Sequence, residues 1–572
     1  MSSSLVPTYG SINNENIQQD VESRTLTVVS SNKSLSRYLK KTSIRKEIKF
    51  VILNAVPIVL TFLMQYSLTV SCLFVIGNLC IDPETGSSAE YLSSASLAVM
   101  TYNITGLAAI EGMATSLDTF CPQAYGASKY KKVGLYTQRC TLMIMCILTP
   151  IVISWWFSAS WLKFVIPEAD GLLVNVQTYL RLLSFGLPAI IMFETGKRFA
   201  QSQGYYKITT FSLSFIFPIN ILLIYIFTKK FGFIGAPCAI VISDWLMFLS
   251  LTLYCIYVKP DTLKCWPSIL KYKEEEKEEE ESLRVDNESN DIFGTPSQSL
   301  LFTVDRNCTN NKKKRHPIFQ HWLPMWNLSF PGLVMIESEY LSFELLTIMS
   351  TYFGVEAIAA QTIIATIGTL IYQIPFAFGC VISTRIAHYI GSYYHIHCKN
   401  SDYPVDQSIA EESVVEPKLA EYNAKTTIKA TYILAFGLGF VTFVLLFVST
   451  EKLARLFTKD ETVIKLSSHT LPVIAVNQIP YSFNIFSSSI MRGQGRQSIC
   501  SKLNIVGYYA IGLPLSYIFA YKMNLYLSGL WLGCTCSVLF LGSTQIYYVI
   551  KTNWKSVFGA FIKRMEVEDV EI

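Results

Sequence analysis

The chain has 572 residues, of which 51% are hydrophobic and only 16% charged. A soluble globular chain carries about 25% charged residues, so this balance excludes an ordinary soluble domain and indicates a polytopic membrane protein. The formal net charge of +5 does not define an acidic partner, because the basic residues collect at the ends of apolar runs, as they do in cytoplasmic loops.

Residues 1–48 are polar and rich in Ser and Asn, with no apolar core of a cleavable leader. They read as a disordered cytoplasmic tail. With a ruler of about 20 mostly apolar residues per span, the following chain offers six candidates near 52–77, 93–116, 135–157, 175–198, 207–228 and 234–258. A polar region, 259–319, separates them from six more near 326–350, 358–382, 428–449, 468–491, 503–521 and 527–550. Residues 552–572 form a short charged cytoplasmic tail. The expected domains are therefore an N-lobe over 49–258, a cytoplasmic linker over 259–319 and a C-lobe over 320–551.

Lys and Arg set the orientation. Lys129, Lys131 and Lys132 follow the second candidate, Lys197 and Arg198 the fourth, Arg385 the eighth, and Arg492 and Arg496 the tenth. The loop 80–92 has no basic residue. Both termini and the even-numbered loops are therefore cytoplasmic. The linker carries a Glu-rich run from Glu274 to Glu281 and a basic run from Lys312 to Arg315, and reads as a solvated connection. The sequons at Asn287 and Asn307 fall on this cytoplasmic side, so no glycosylation is expected there.

The halves resemble one another. Pro57 and Tyr66 match Pro331 and Tyr340 at one offset; Gly126-Ala127 matches Gly391-Ser392; Gln203-Gly204 matches Gln494-Gly495. Six spans per half give both halves the same topology, hence parallel repeats about an axis along the membrane normal. Transporters of this kind bind substrate where the repeats meet.

The stretch Pro331 to Glu344 carries three carboxylates, Glu337, Glu339 and Glu344, inside the seventh candidate. A charged side chain at mid-membrane costs on the order of 3 kcal/mol on insertion scales, so three need a reason. Desolvation favours the neutral form of a carboxyl, while the ionised form attracts an organic cation. Proton and cation then compete for one site, the minimum requirement of an antiporter. On an ideal helix Glu337 and Glu344 share a face, and Glu339 lies roughly 140° from Glu344. Pro57 and Pro331 can open their helix ladders and act as hinges. Asp244 is a further carboxylate candidate for the cleft, and Gln65 matches Glu339 by repeat position. Tyr66, Tyr340, Phe343, Tyr372 and Tyr481 can contact a flat cation through cation–π attraction. Asp118 can cap the next segment or pair with Arg139, and Glu194 is expected to pair with Lys197 at the membrane interface. Trp155, Trp156 and Trp161 suit an interfacial belt.

Several other chemistries find no support. None of the fourteen Cys forms a Cys-x-x-Cys pair, no Cys/His cluster has zinc spacing, and His395-x-His397 reads as a solvated loop rather than a metal site. Gly493-Gln494-Gly495 is followed by Arg, so it is not a phosphate loop. The chain reads as a non-enzyme without metal or cofactor.

Glu111 to Ala127, which includes Leu117-Asp118-Thr119-Phe120-Cys121-Pro122-Gln123-Ala124-Tyr125-Gly126-Ala127, resembles a hallmark of the multidrug and toxic compound extrusion family. Pro331 to Glu344 resembles that family's seventh-span pattern. Gln361, Pro375 and Ser383-Thr384-Arg385 resemble its eighth span. Arg492 to Gln497, Asn504, Tyr508-Tyr509 and Gly512-Leu513-Pro514 resemble its tenth-to-eleventh-span signature. The resemblance covers about 45–560. It implies an all-α integral membrane protein of twelve transmembrane helices in two six-helix lobes related by pseudo-two-fold symmetry, exporting substrates by alternating access. It assigns proton coupling to Glu339 and Glu344, leaving Gln65, Tyr66, Asp244, Glu337, Tyr340, Phe343, Tyr372 and Tyr481 as substrate-binding candidates. The sequence departs from the pattern where Tyr481 replaces a tenth-span acid, Thr366 an eighth-span acid, and Tyr340 and Leu341 a Trp pair. The expected function is a monomeric antiporter exchanging organic cations, drugs or metabolites for protons across a lipid bilayer, with no nucleic-acid partner. The vacuolar membrane is favoured over the plasma membrane. A lipid or lipid-linked sugar flippase of a related two-lobe fold is the alternative.

Overall fold

The computed structural model describes residues 40–80, 89–163, 170–267, 317–401, 410–458 and 460–570. The two sequons and both charged runs of the linker lie outside them, as do the side chains of His395 and His397. Among the described residues the regular structure is entirely helical.

The first repeat starts with α1 (Ile44–Leu79). Next, α2 (Ala89–Tyr102), a π-turn at Asn103–Leu107, α3 (Ala108–Ala114) and α4 (Leu117–Gly126) form one interrupted run. After α5 (Tyr130–Trp155) and the short α6 (Ser158–Leu162) come α7 (Asp170–Leu183) and α8 (Leu187–Ser202), bent 51° across their junction. Then α9 (Lys207–Phe231) and α10 (Gly235–Leu253) pack side by side, joined at Gly232, whose φ of 60° is open to glycine at little cost. The second repeat repeats this plan. It comprises α11 (Trp322–Ser350), α12 (Val355–Ser401), α13 (Ala410–Val448), the short α14 (Thr450–Phe457) and α15 (Glu461–Gly493). A run from α16 (Gln497–Ile505) through two π-turns flanking α17 (Leu513–Tyr517), and then α18 (Tyr526–Ile550), complete it. Asp460 caps α15 by accepting the Thr462 and Val463 amides at 2.8 and 3.3 Å.

The twelve expected spans map onto these runs, with longer helices than an apolar ruler finds. Helix α12, of 47 residues, projects well beyond the expected 358–382. The helices that are long and apolar enough to cross a membrane include α1, α5, α13, α18 and the α9–α10 pair. Helix α11 fails that test because it holds three carboxylates, and α15 because it is lined with Asn, Gln and Ser. Polar spans belong inside a bundle rather than against lipid, and these two face the interior.

Two apolar cores result, one built mainly from 68–265 and the other mainly from 335–565. They exchange helix ends. Val51, Ala55 and Ile58 of α1 pack into the second core, and Met325 and Leu328 of α11 into the first. That reciprocity is what a pseudo-two-fold predicts. The crossing lies at the end that carries the basic loops, where the repeats touch closely. Gly126 sits against the His388 carbonyl and Gly391 against the Gln123 carbonyl, leaving no room for a Cβ. Thr119 Oγ1 donates to the Arg492 carbonyl at 2.6 Å, Gln123 Nε2 to the Gly493 carbonyl at 3.1 Å, and Gln497 Nε2 to the Thr115 carbonyl at 3.1 Å. The basic end is shut.

Two expected tails are partly structured. Helix α1 begins at Ile44, and the preceding Thr42 is already buried, its amide donating to Asn423 Oδ1 at 3.0 Å. Glu47, 1% exposed, meets Arg385 at 2.9 Å and accepts from Thr42 and Tyr389. The charged C-terminal tail forms a helix, α19 (Trp554–Val570), because Trp554, Val557, Phe558, Phe561 and Met565 recur at helical spacing and are all buried.

Breaking a buried ion pair by removing one partner costs about 3–5 kcal/mol. Glu47→Ala is therefore expected to lower the thermal unfolding midpoint of the detergent-purified protein more than Glu47→Ala/Arg385→Ala does. A double variant at least as unstable as the single one contradicts the pairing.

Candidate functional site

Between the lobes lies a cavity of about 350 Å³. Helix α11 lines it with Glu339, Tyr340, Phe343, Glu344 and Thr347. At 100° per residue these five positions sweep an arc of roughly 140°, with Glu339 and Glu344 at its two edges. The angular separation expected from an ideal helix is real. The cavity is wide enough to take in both carboxylates, and no unwinding is needed, since α11 runs unbroken through Pro331 and α1 through Pro57. Glu337 has nearly the azimuth of Glu344 but lies two turns nearer the basic end, and it is not among the lining residues. At that level α16 covers the helix, with Asn504 Nδ2 donating to the Met335 carbonyl at 3.1 Å.

Glu339 Oε1 accepts a 2.6 Å hydrogen bond from the Tyr481 hydroxyl. The residue standing where a tenth-span acid was expected thus holds the seventh-span acid. The Tyr481 ring lies 5.8 Å from Tyr372, which stacks on Phe376 at 5.4 Å. Phe343 lies 5.8 Å from Trp531, whose indole N–H donates to Gln361 Oε1 at 2.9 Å. Aromatic faces and carboxylates therefore share one wall. Thr366 is not among the lining residues, and its hydroxyl donates to the Thr362 carbonyl at 2.8 Å.

The opposite wall comes from the first repeat: Gln65, Tyr66, Glu111 and Asp244. Asp244, 6% exposed, has no cationic partner among the described residues. Gln65 Nε2 donates to Glu194 Oε1 at 3.0 Å, while Gln65 Oε1 is buried without a hydrogen-bond partner. Glu194 does pair with Lys197, at 2.7 Å, but the pair is 0% and 2% exposed and lies inside the protein rather than at a membrane interface. Arg198 adds a second contact to Glu194 at 2.8 Å and reaches Asp118 at 3.4 Å. Asp118 also lies 3.5 Å from Arg492 of the second repeat. The ion-pair partners of Asp118 are therefore Arg198 and Arg492 rather than the expected Arg139. Trp155 is also internal, 0% exposed, its indole donating to Thr105 Oγ1 at 2.9 Å, whereas Trp156 is exposed.

The carboxylates thus fall into two classes. Glu47, Asp118 and Glu194 are neutralised by Arg or Lys. Glu339, Glu344 and Asp244 line the cavity and have no ion pair among the described residues. Glu111 also lines the cavity, a placement the sequence signalled only by putting a carboxylate inside a span. Among the described residues no cluster of three or more His, Cys, Asp or Glu is arranged to hold a metal.

The chain's likeness to known proteins agrees with this architecture. The family model described as MatE matches residues 57–226 and 420–518. An uncharacterized transporter of Saccharomyces cerevisiae is 33% identical over 90% of this chain, and the chain spans 63% of that relative's length. Human multidrug and toxin extrusion protein 1 is 23% identical over 91% of this chain and 77% of its own length. The crystal structure of the eukaryotic MATE transporter AtDTX14 superposes with a TM-score of 0.70 at 22% identity, covering 91% of this chain and all of that one. That likeness bears on the fold, and two helical repeats about a central cavity are the fold it shares. Four motifs in family order, the matching family model and the shared two-lobe architecture together make this chain similar to the MATE family of transporters, with the apolar helices of an integral multi-pass membrane protein.

Proposed function

We propose that the protein exports organic cations in exchange for protons, with Glu339 as the group that carries the exchange. The supporting observation is the Glu339 carboxylate itself: it borders the cavity, it lacks a cationic partner among the described residues, and the Tyr481 hydroxyl holds it at 2.6 Å. A buried carboxylate without a counter-ion needs either a proton or a positively charged ligand. The Tyr481 bond orients the carboxylate without neutralising it. Glu344, at the other edge of the same helix arc, is the second coupling acid. Asp244 on the facing wall draws the positive end of a cation across the cavity, and Tyr66, Tyr340, Phe343 and Tyr372 offer faces to its flat part.

Exchange follows from competition. Proton and cation each satisfy the same carboxylate, so one is released as the other binds. Binding moves the lobes only through a difference in affinity for the two arrangements. The driving force is about 2.3 kcal/mol per charge per 100 mV plus about 1.4 kcal/mol per pH unit. An acid-lined cavity favours cations over the anionic head groups that a lipid flippase handles. An acidic vacuolar lumen supplies the gradient, and a fluorescent fusion resolving the vacuolar rim from the cell periphery tests that placement.

Glu339→Gln is expected to abolish uptake of radiolabelled tetraethylammonium into acid-lumen vesicles whose cytoplasmic face is outside. Tyr481→Phe removes a charge-assisted hydrogen bond worth about 1.5–3 kcal/mol and lowers uptake by about tenfold to a hundredfold. Wild-type uptake by the Glu339→Gln protein sinks the assignment.

The two carboxylate classes separate in a second measurement. Glu194→Gln leaves Lys197 and Arg198 facing a neutral amide and is expected to destabilise the protein by about 3 kcal/mol or more. Glu339→Gln strands no cation, so its melting temperature stays within a few degrees of wild type. Equal losses in the two variants contradict the division.

A further inference from the structure

Helix α19 stays close to its own repeat in sequence but lies across both repeats in space. Only residues 551–553 separate it from α18, so it is tethered to the second repeat. Its aromatic residues dock there: Phe558 stacks on Tyr393 with ring centroids 4.1 Å apart, and Phe561 meets Tyr394 edge-on at 5.9 Å. One turn further on, the same face reaches the first repeat. Arg564 Nη2 donates to Gln123 Oε1 at 3.0 Å, and its guanidinium lies over the Phe120 ring at 5.2 Å. The Tyr136 hydroxyl of α5 points at Met565 Sδ, 3.9 Å away.

Gln123 is also the residue whose amide bonds the Gly493 carbonyl across the closed basic end. Helix α19 therefore rests on the line along which the repeats must part if that end is to open. In the alternating access that the proposed exchange requires, α4 and α5 part from α12 and α15 there. A helix fixed by a three-residue tether to the second repeat cannot follow the first, so its contacts with Gln123, Phe120 and Tyr136 break at every opening.

We propose that α19 is a strap that stabilises the state closed at the basic end, and that its contacts with the first repeat set how readily that end opens. Lys555 and Lys563 face outward from the strap, leaving its packed face for the two repeats.

The test uses a reporter that does not depend on substrate. Thr119 is fully buried in the seal, its hydroxyl donating to the Arg492 carbonyl at 2.6 Å. Thr119→Cys is placed in a full-length chain whose other reactive cysteines are replaced by serine. Labelling by a membrane-impermeant maleimide added at the basic face then reports opening. Arg564→Ala/Met565→Ala, which removes the first-repeat contacts and keeps the aromatic docking, is expected to raise the labelling rate several-fold. A Tyr136→Cys/Met565→Cys pair bridged by a short bifunctional methanethiosulfonate, tying the strap to the first repeat, is expected to suppress labelling until reductant is added. A Tyr393→Cys/Phe558→Cys pair bridged by the same reagent ties the strap to its own repeat, serves as the folding control and leaves the rate unchanged. Equal labelling of the weakened and wild-type straps, or undiminished labelling of the 136–565 cross-linked protein, overturns the proposal.

Discussion

The constraint on which the rest depends is the expense of charge out of water. Every buried carboxylate in this protein must either face a cation or face a space that a proton or ligand can enter. The fold meets that demand by sorting acids along the membrane normal. At the basic end, Glu47, Asp118 and Glu194 are held by Arg385, Arg198, Arg492 and Lys197. Around the cavity, Glu339, Glu344 and Asp244 are left for what enters. The first group ties helices together. The second group is unstable by itself, and that instability gives the cavity its chemistry.

The two groups are connected. Gln65 lines the cavity and donates to Glu194, whose partner Arg198 shares Asp118 with Arg492 of the other repeat. A short chain of polar contacts therefore runs from the cavity wall to the seal between the lobes. An occupant of the cavity that displaced the Gln65 bond would act on that chain at its cavity end, and through it on the closed end. The close approach of α4 and α12 at Gly126 and Gly391 suits such behaviour, since backbone packed on backbone separates as a unit rather than deforming gradually.

Much of this was legible in the chain. Apolar runs of about 20 residues marked the spans, and Lys and Arg marked one side of them. The matched pairs Pro57/Pro331 and Gly126/Gly391 revealed the repeat before any contact was known. The glycine pair then turned out to be the reciprocal contact between the lobes. Carboxylates inside a span singled out α11, and that helix lines the cavity with Glu339 and Glu344. The helix beyond residue 551 was not legible, because its periodic aromatics are too few to outweigh its charged residues without the surfaces of α5 and α12 to cover them.

The sequence by itself determined which helices exist, how they repeat and which of them carry charge, because bilayer thickness and desolvation act on each segment separately. Only the tertiary structure decided which charges are neutralised. Arg492 is 374 positions from Asp118, Tyr481 is 142 from Glu339 and Arg385 is 338 from Glu47. No local pattern encodes those meetings. They are also what separates a carboxylate that holds the fold together from one left open to a proton or a cation.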